Sequence, residues 1–345
     1  MPGLGGVRVP GSRRDPVKRL AVIGAGAWGT ALAIVASRAG LSPVLWARDP
    51  DVVATVNVRH ENPIYLPGVA LDPAVAATGD MRAAVADADA ALLVVPAQFL
   101  RGVLGGLRRV LPRGLPLLHC AKGIEAGSLA MMSQIGAEML PASPFAVLSG
   151  PSFAAEVARG LPTAVTVAST DATLGESFIA ALGSSRFRPY LSPDPIGAEI
   201  GGAIKNVVAI ACGIVVGRGL GDNARAALIT RGLAEMVRLG LSRGAHAETF
   251  RGLSGLGDLV LTCSAAQSRN YALGLALGQG QSLDDALGGR RSVVEGVATA
   301  AAVTGLAARF GIEMPISEAV DAVLHRGAPI DTMTDRLLRR PYRAE

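Results

Sequence analysis

The sequence predicts an α/β fold of the Rossmann type, a doubly wound and mostly parallel sheet, followed by an all-α C-terminal domain. Three observations carry this. First, the apolar run Leu20-Ala21-Val22-Ile23 leads into Gly24-Ala25-Gly26-Ala27-Trp28-Gly29 and then into a helical pattern, Thr30 to Arg38. That is G-x-G-x-x-G between a strand and a helix, where Gly24 permits the turn, Gly26 lets the backbone approach a pyrophosphate, and Gly29 lets helix pack on strand. Free N–H groups at the helix start face the ligand's negative charge. Second, strand-like and helical segments alternate up to Pro193-Asp194-Pro195, the signature of parallel βαβ units. Third, only helical spacing follows, to about Leu324. The expected organisation is a disordered N-terminal extension at 1–18, a dinucleotide-binding domain at 19–193 and a helical substrate domain at 194–345.

Bulk properties agree with two domains. The chain has 345 residues, half of them hydrophobic and only 4% aromatic. Abundant Ala and Gly point to closely packed helices. The net charge of +5 suits an anionic ligand, and no basic run is interleaved with aromatics as a nucleic-acid site requires. Much of the excess sits near the ends, at Arg8, Arg13, Arg14, Lys18 and Arg19, then Arg336, Arg339, Arg340 and Arg343, read as solvated tails. Cys120, Cys212 and Cys263 lack metal spacing and read as buried thiols in a reducing, cytoplasmic compartment. His60, His119, His246 and His325 are scattered, so no metal site is expected. The start carries no apolar signal region. The longest apolar stretch, Val207 to Gly217, is far short of the roughly 20 residues of a membrane span.

Taken in order, strands are expected at Leu20–Ile23, Pro43–Ala47, Ala74–Thr78, Ala90–Val95, Leu115–Cys120, Phe145–Leu148, Ala164–Ala168 and Phe187–Leu191. Helices are expected at Thr30–Arg38, Gln98–Leu111 and Ser128–Met139, and residues 60–69, with Pro63 and Pro67, read as a loop. The second domain is punctuated by Gly and Pro into helices near 196–217, 224–242, 247–252, 256–262, 270–278, 283–288, 295–310 and 316–325. Ligands of a doubly wound sheet bind outside the C-terminal strand ends, and Arg48, Pro96, Lys122 and Gly150 lie at such ends. Arg48 suits a 2′-phosphate and hence NADP, whereas Asp49 keeps NAD open or simply starts a helix with Pro50 and Asp51.

Of the 33 Lys and Arg residues only Lys18, Lys122 and Lys205 are Lys. Arg cannot release a proton under physiological conditions, while a desolvated Lys can. Lys122 ends a strand at the ligand edge. Lys205 sits in the apolar helix Ile204-Lys205-Asn206-Val207-Val208, where it either has a lowered pKa for chemistry or forms a structural ion pair. Asp258, in Gly255-Leu-Gly-Asp258-Leu-Val260, either pairs with that Lys or caps a helix. Ser268-Arg269-Asn270 opens a helix at Tyr271, and hydroxyl, guanidinium and free N–H groups there make a phosphate cradle.

These stretches together resemble the bacterial NAD(P)-dependent glycerol-3-phosphate dehydrogenases. The matching motifs are Gly24-Ala-Gly-Ala-Trp-Gly-Thr-Ala-Leu32, Ala121-Lys-Gly-Ile-Glu125, Leu148-Ser-Gly-Pro-Ser-Phe-Ala154, Glu199-Ile-Gly-Gly-Ala-Ile-Lys-Asn-Val207, Leu253-Ser-Gly-Leu-Gly-Asp-Leu-Val-Leu-Thr262, Ser268-Arg-Asn270 and Val294-Glu-Gly296. They occur in one order and span roughly residues 18–325. The resemblance implies that Lys205 is the catalytic proton acceptor, supported by Asp258, with Asn206 and Thr262 in the same cluster. It implies substrate contacts from Lys122, Gly150 and Ser152 and a phosphate clamp from Ser268, Arg269 and Asn270. It implies cofactor contacts from Trp28, Arg48, Lys122, Ala154, Arg269, Val293 and Glu295, to which the glycine turn adds Gly24, Gly26, Ala27 and Gly29 and the strand-end position adds Pro96. Ala27 departs from the family, many of whose members have Ser there.

The implied activity is reversible interconversion of sn-glycerol 3-phosphate and dihydroxyacetone phosphate with NADP or NAD, supplying phospholipid synthesis. A homodimer is expected, with no nucleic acid and no membrane span. Two other readings are a β-hydroxyacid dehydrogenase, which shares the helix-borne Lys but takes a carboxylate, and a non-catalytic NAD(P)-binding sensor, which needs the glycine fingerprint but not Lys205 with Asp258.

Overall fold

The computed structural model describes residues 17–288 and 293–341. The sheet-bearing part contains β1 (Arg19–Ile23), α1 (Ala27–Arg38), β2 (Ser42–Trp46), α2 (Pro50–Arg59), β3 (Glu61–Asn62), β4 (Leu66–Ala70), β5 (Ala76–Thr78), α3 (Met81–Val85), β6 (Ala90–Leu93) and α4 (Leu100–Leu107). It continues with β7 (Leu117–His119), α5 (Met132–Met139), β8 (Phe145–Ser149), α6 (Ala154–Ala158), β9 (Thr163–Ala168), α7 (Ala172–Leu182) and β10 (Phe187–Ser192). Eight strands form one sheet in the order β10-β9-β8-β7-β6-β1-β2-β5, and β3 and β4 form a separate hairpin. Every neighbouring pair in the large sheet is parallel except β8 with β9. The expected doubly wound, mostly parallel sheet is thus borne out. Its central strands are buried throughout Leu20–Ile23 and Ala90–Leu93, which is why they read as unbroken apolar runs.

From Pro195 onward every described element is helical: α8 (Pro195–Gly217), α9 (Gly221–Ser242), α10 (Ala247–Arg251), α11 (Asp258–Ser264), α12 (Arg269–Gly278), α13 (Leu283–Leu287), α14 (Glu295–Arg309), α15 (Pro315–His325) and α16 (Ile330–Leu338). A π-helical turn, Leu253–Gly257, precedes α11. Helix α8 is the axis of this part. Asp194 caps it, accepting from the Gly197 amide at 2.9 Å, and its other oxygen accepts from His246 N and Thr249 Oγ1. Glycines let neighbours touch its backbone. A Cβ on Gly213 would lie 2.1 Å from the Tyr271 carbonyl, and one on Gly274 would lie 2.0 Å from that of Ile210. The abundance of small residues is therefore spent on close helix contact.

Several sequence expectations are corrected. Helix α8 falls where a helix was expected, near 196–217, but its apolar character extends beyond Val207–Gly217: an 18-residue window has a mean hydropathy of 1.9, and alone among the described residues the helix is long and apolar enough to cross a membrane. It is a core helix nonetheless, since 89% of that window is buried against the protein itself. Residues 60–69 are not simply a loop but include the β3–β4 hairpin. Helix α5 begins at Met132 rather than Ser128, because Leu129 takes a left-handed conformation, φ 60°. Helices α3, α6, α7 and α16 were not expected, and the C-terminal arginines are not all solvated tail, since Arg340 pairs with Glu313 at 2.9 Å. Residues 1–16 of the expected extension, and Arg343, lie outside the described residues. Lys18 already belongs to the fold, donating its amide to Asp89 Oδ2 at 2.8 Å.

Candidate active site

The strand order reverses between β1 and β6, and the glycine turn sits at that switch point, where open α/β sheets bind ligands. Gly24 has φ 119°, and a Cβ there would lie 2.5 Å from the Val94 carbonyl beyond β6. A Cβ on Gly29 would lie 1.8 Å from the Gly24 carbonyl, so turn and helix require both glycines. Gly26 is different, with open space where its Cβ would be. The first bond of α1 runs from Thr30 N to Gly26 O, which leaves the amides of Ala27, Trp28 and Gly29 at the helix mouth. Two buried polar atoms in this region lack a protein partner, Trp28 Nε1 and Glu295 Oε2. An open cradle, a helix N-terminus and orphaned polar groups fit a dinucleotide.

Glu295 starts α14, yet its Oε1 accepts from the Ala97 amide at 3.1 Å, just beyond Pro96. Burial raises its carboxyl to about 7, against the Ala97 hydrogen bond and the charge of Arg269. Arg48 is exposed two residues past β2, while Asp49 accepts from the Asp51 amide at 3.0 Å and caps α2. Ala154 opens α6, and Val293 is exposed two residues before α14.

The second half of the site is built on α8. Lys205, buried, donates to Asp258 Oδ1 at 2.5 Å and to Thr262 Oγ1 at 3.0 Å. Lys122, three residues past β7, donates to Asp258 Oδ2 at 2.7 Å and to the Gly150 carbonyl at 2.8 Å. Ser152 Oγ donates to the same carbonyl at 2.9 Å. One carboxylate therefore bridges two ammonium groups from opposite halves of the chain. Glycines again allow it. A Cβ on Gly201 would lie 2.3 Å from the Ser254 carbonyl in the π turn, and one on Gly202 would lie 3.3 Å from Lys122 Cγ. The π turn was not foreseen, and it aims Asp258 at Lys205 where an α-helix from 256 was expected.

Electrostatics follow from this geometry. Burial lowers the Lys205 ammonium to about 8; Asp258 opposes that shift and Lys122 adds to it. For Asp258, burial pushes the carboxyl up, but the charges of Lys122 and Lys205 outweigh it and hold the group below its ordinary range. Two ammonium groups and one carboxylate leave a net positive site for an anion.

A chain of amides leads outward from Lys122. Asn206 Nδ2 donates to the Lys122 carbonyl at 3.2 Å, Asn270 Nδ2 donates to Asn206 Oδ1 at 2.9 Å, and Gly296 N donates to Asn270 Oδ1 at 2.9 Å. Asn270 thus spends its side chain joining α8, α12 and α14. Ser268 Oγ caps α12, accepting from Tyr271 N at 3.2 Å, and Arg269 is exposed at the first turn. Two groups were missed from the sequence. Asn62, wholly buried, reaches the glycine turn from β3. Glu199, on α8, accepts from Ser133 N and Oγ at 2.7 and 2.6 Å, with His119 Nε2 3.1 Å away. Asn62 lies in no motif, and Glu199, although inside the Glu199–Val207 stretch, had no role assigned to it.

Comparison with known proteins gives the family of the chain. The models for the N-terminus and the C-terminus of NAD-dependent glycerol-3-phosphate dehydrogenase match residues 19–175 and 194–335. The glycerol-3-phosphate dehydrogenase [NAD(P)+] of Rhodospirillum rubrum is 57% identical over 329 residues, 95% of this chain and 94% of that protein. The chain belongs to the NAD-dependent glycerol-3-phosphate dehydrogenase family. The glycerol-3-phosphate dehydrogenase [NAD(P)+] of Maricaulis maris is 58% identical, covering 94% of this chain and 98% of that protein. The crystal structure of glycerol-3-phosphate dehydrogenase from Coxiella burnetii superposes with a TM-score of 0.90 at 40% identity, covering 94% of this chain and 99% of that one. Family membership makes the chain an NAD(P)-dependent oxidoreductase.

Proposed function

We propose that the chain interconverts sn-glycerol 3-phosphate and dihydroxyacetone phosphate with NAD(P), and that Lys205 moves the proton. The observation that carries this is the buried Lys205–Asp258–Lys122 arrangement beside the dinucleotide cradle. A bound nicotinamide would supply the hydride acceptor for oxidation at C2 and the hydride donor for reduction. Lys205, neutral, accepts the C2 hydroxyl proton in oxidation; its ammonium donates that proton to the ketone oxygen in reduction. Asp258 and Thr262 fix the amine's direction. Lys122, Gly150 and Ser152 line the same side for substrate contact. The mouth of α12, with Ser268, Arg269 and the Asn270 backbone, is suited to the phosphate, whose binding positions C2. For the cofactor, Gly24, Gly26, Ala27, Trp28 and Gly29 form the pyrophosphate cradle, and Pro96, Ala154, Val293 and Glu295 flank it. Arg48 supports NADP over NAD, because Asp49 is engaged as a helix cap.

Residues 19–193 form the cofactor unit and 194–345 the substrate unit in this reading, and the protein acts in the cytoplasm as a homodimer. Exposed apolar side chains on the helical half, Leu220, Leu241 and Phe310, favour self-association; sedimentation at the mass of one chain would contradict it. The activity is tested by loss of NAD(P)H absorbance on adding dihydroxyacetone phosphate. Rapid oxidation is expected, faster with NADPH. Oxidation by a 3-oxo acid but not by the phosphorylated ketone would favour the hydroxyacid reading, and cofactor binding without turnover the sensor.

A further inference from the structure

Asn62 lies in the two-residue strand β3, far in sequence from the glycine turn, and is fully buried. Its Nδ2 donates to the Ala25 carbonyl at 2.9 Å and to Thr30 Oγ1 at 2.8 Å. Its Oδ1 accepts from Tyr65 N at 3.3 Å, which ties the tip of the hairpin to the same side chain. Thr30 Oγ1 in turn donates to the Ala25 carbonyl at 3.4 Å. Two side-chain donors therefore converge on one carbonyl.

That carbonyl belongs to the peptide unit whose other end is the Gly26 N–H. In a trans peptide the C=O and the N–H point in opposite directions. Holding the Ala25 oxygen inward turns the Gly26 N–H outward, toward the open space where a Gly26 Cβ would be. Gly26 has little side-chain restraint of its own, and the freedom that allows close ligand approach also allows the peptide to rotate. Among the described residues of the turn, Ala27 offers no hydroxyl to the pyrophosphate, so backbone donors carry more of the contact.

We propose that Asn62 is a positioning residue for the dinucleotide: it locks the Ala25–Gly26 peptide in the orientation that presents the Gly26 N–H to the cofactor's pyrophosphate. This rests on the reading of the glycine turn as the cofactor cradle. Asn62 touches neither substrate nor the reacting atoms, so its loss weakens cofactor binding and leaves the chemical step intact.

The decisive variant is Asn62→Asp, which keeps the shape and sets an acceptor against the Ala25 carbonyl. The expected result is a rise of about tenfold or more in the KM and Kd for NADH and NADPH, with kcat at saturating cofactor and KM for dihydroxyacetone phosphate within about twofold of the parent. Thr30→Val removes the second donor without changing the side chain's shape, and is expected to raise cofactor KM by about threefold with kcat unchanged. Cofactor KM unchanged in both folded variants would overturn the proposal, as would a fall in kcat equal to the rise in cofactor KM. Should Asn62→Asp fail to fold, Thr30→Val alone decides by the same split. A parent protein that binds no NAD(P)H would instead overturn the cofactor reading itself, and this proposal with it.

Discussion

Lys205 is charged or neutral near physiological pH because its ammonium is buried while the anion it contacts, Asp258, is shared with Lys122. Its folded-state value of about 8 sets opposite pH limits for the two directions. Reduction needs the ammonium, so kcat/KM for dihydroxyacetone phosphate should hold below that value and fall about tenfold per pH unit above it. Oxidation needs the free amine, so its kcat/KM should rise toward the same value and level off above it. A reduction profile flat to about pH 10 would contradict the assignment of the proton to Lys205. At the mouth of α12, Arg269→Ala should cost about 2–3 kcal/mol of binding to the phosphorylated substrate, roughly 100-fold in kcat/KM; an unchanged value would remove Arg269 from the phosphate site. The rarity of Lys made Lys122 and Lys205 legible, since the chain otherwise uses Arg for positive charge. Asp258 was visible as an acid in an apolar run, but not that one carboxylate serves both lysines, because that contact joins residues 136 positions apart.

At the scale of elements, glycines let the backbones of α8 and α12 approach closely. Gly274→Ala places a methyl 2.0 Å from the Ile210 carbonyl, an overpacking that should cost about 2 kcal/mol or more. A lower thermal midpoint is expected, and an unchanged one would mean that the helices can part without loss. The long helices were readable from apolar spacing and from Gly and Pro punctuation. The π turn at Leu253–Gly257 was not, because it is set by contact: a Cβ on Gly255 would lie 2.2 Å from the Phe250 carbonyl. Helix α16 does carry an apolar face, Ile330, Met333 and Leu337, but it lies beyond Leu324 among arginines that read as a solvated tail. Helix α6 has five residues, too few for a periodic signal.

Across the whole molecule, the proton-transfer half of the site is held to the cofactor half by buried polar contacts. Glu199 on α8 grips Ser133 on α5 and lies beside His119 at the end of β7, six residues before Lys205. Glu199→Ala strands these buried groups and should destabilise the protein by about 3 kcal/mol or more, lowering the denaturant midpoint and, by loosening α8, kcat as well. An unchanged midpoint would show that the two halves do not depend on this contact. The fold class and the order of motifs were legible because each is local in sequence. The partnership between Glu199 and Ser133, like that between Asn62 and Ala25, was not, since each joins residues far apart in the chain. The measurement that bears most directly on the whole account is turnover by Lys205→Met, made alongside NADPH binding. Turnover reduced at least about 1,000-fold with NADPH affinity within about twofold is the predicted result; near-normal turnover would contradict it and return Lys205 to a structural ion pair with Asp258.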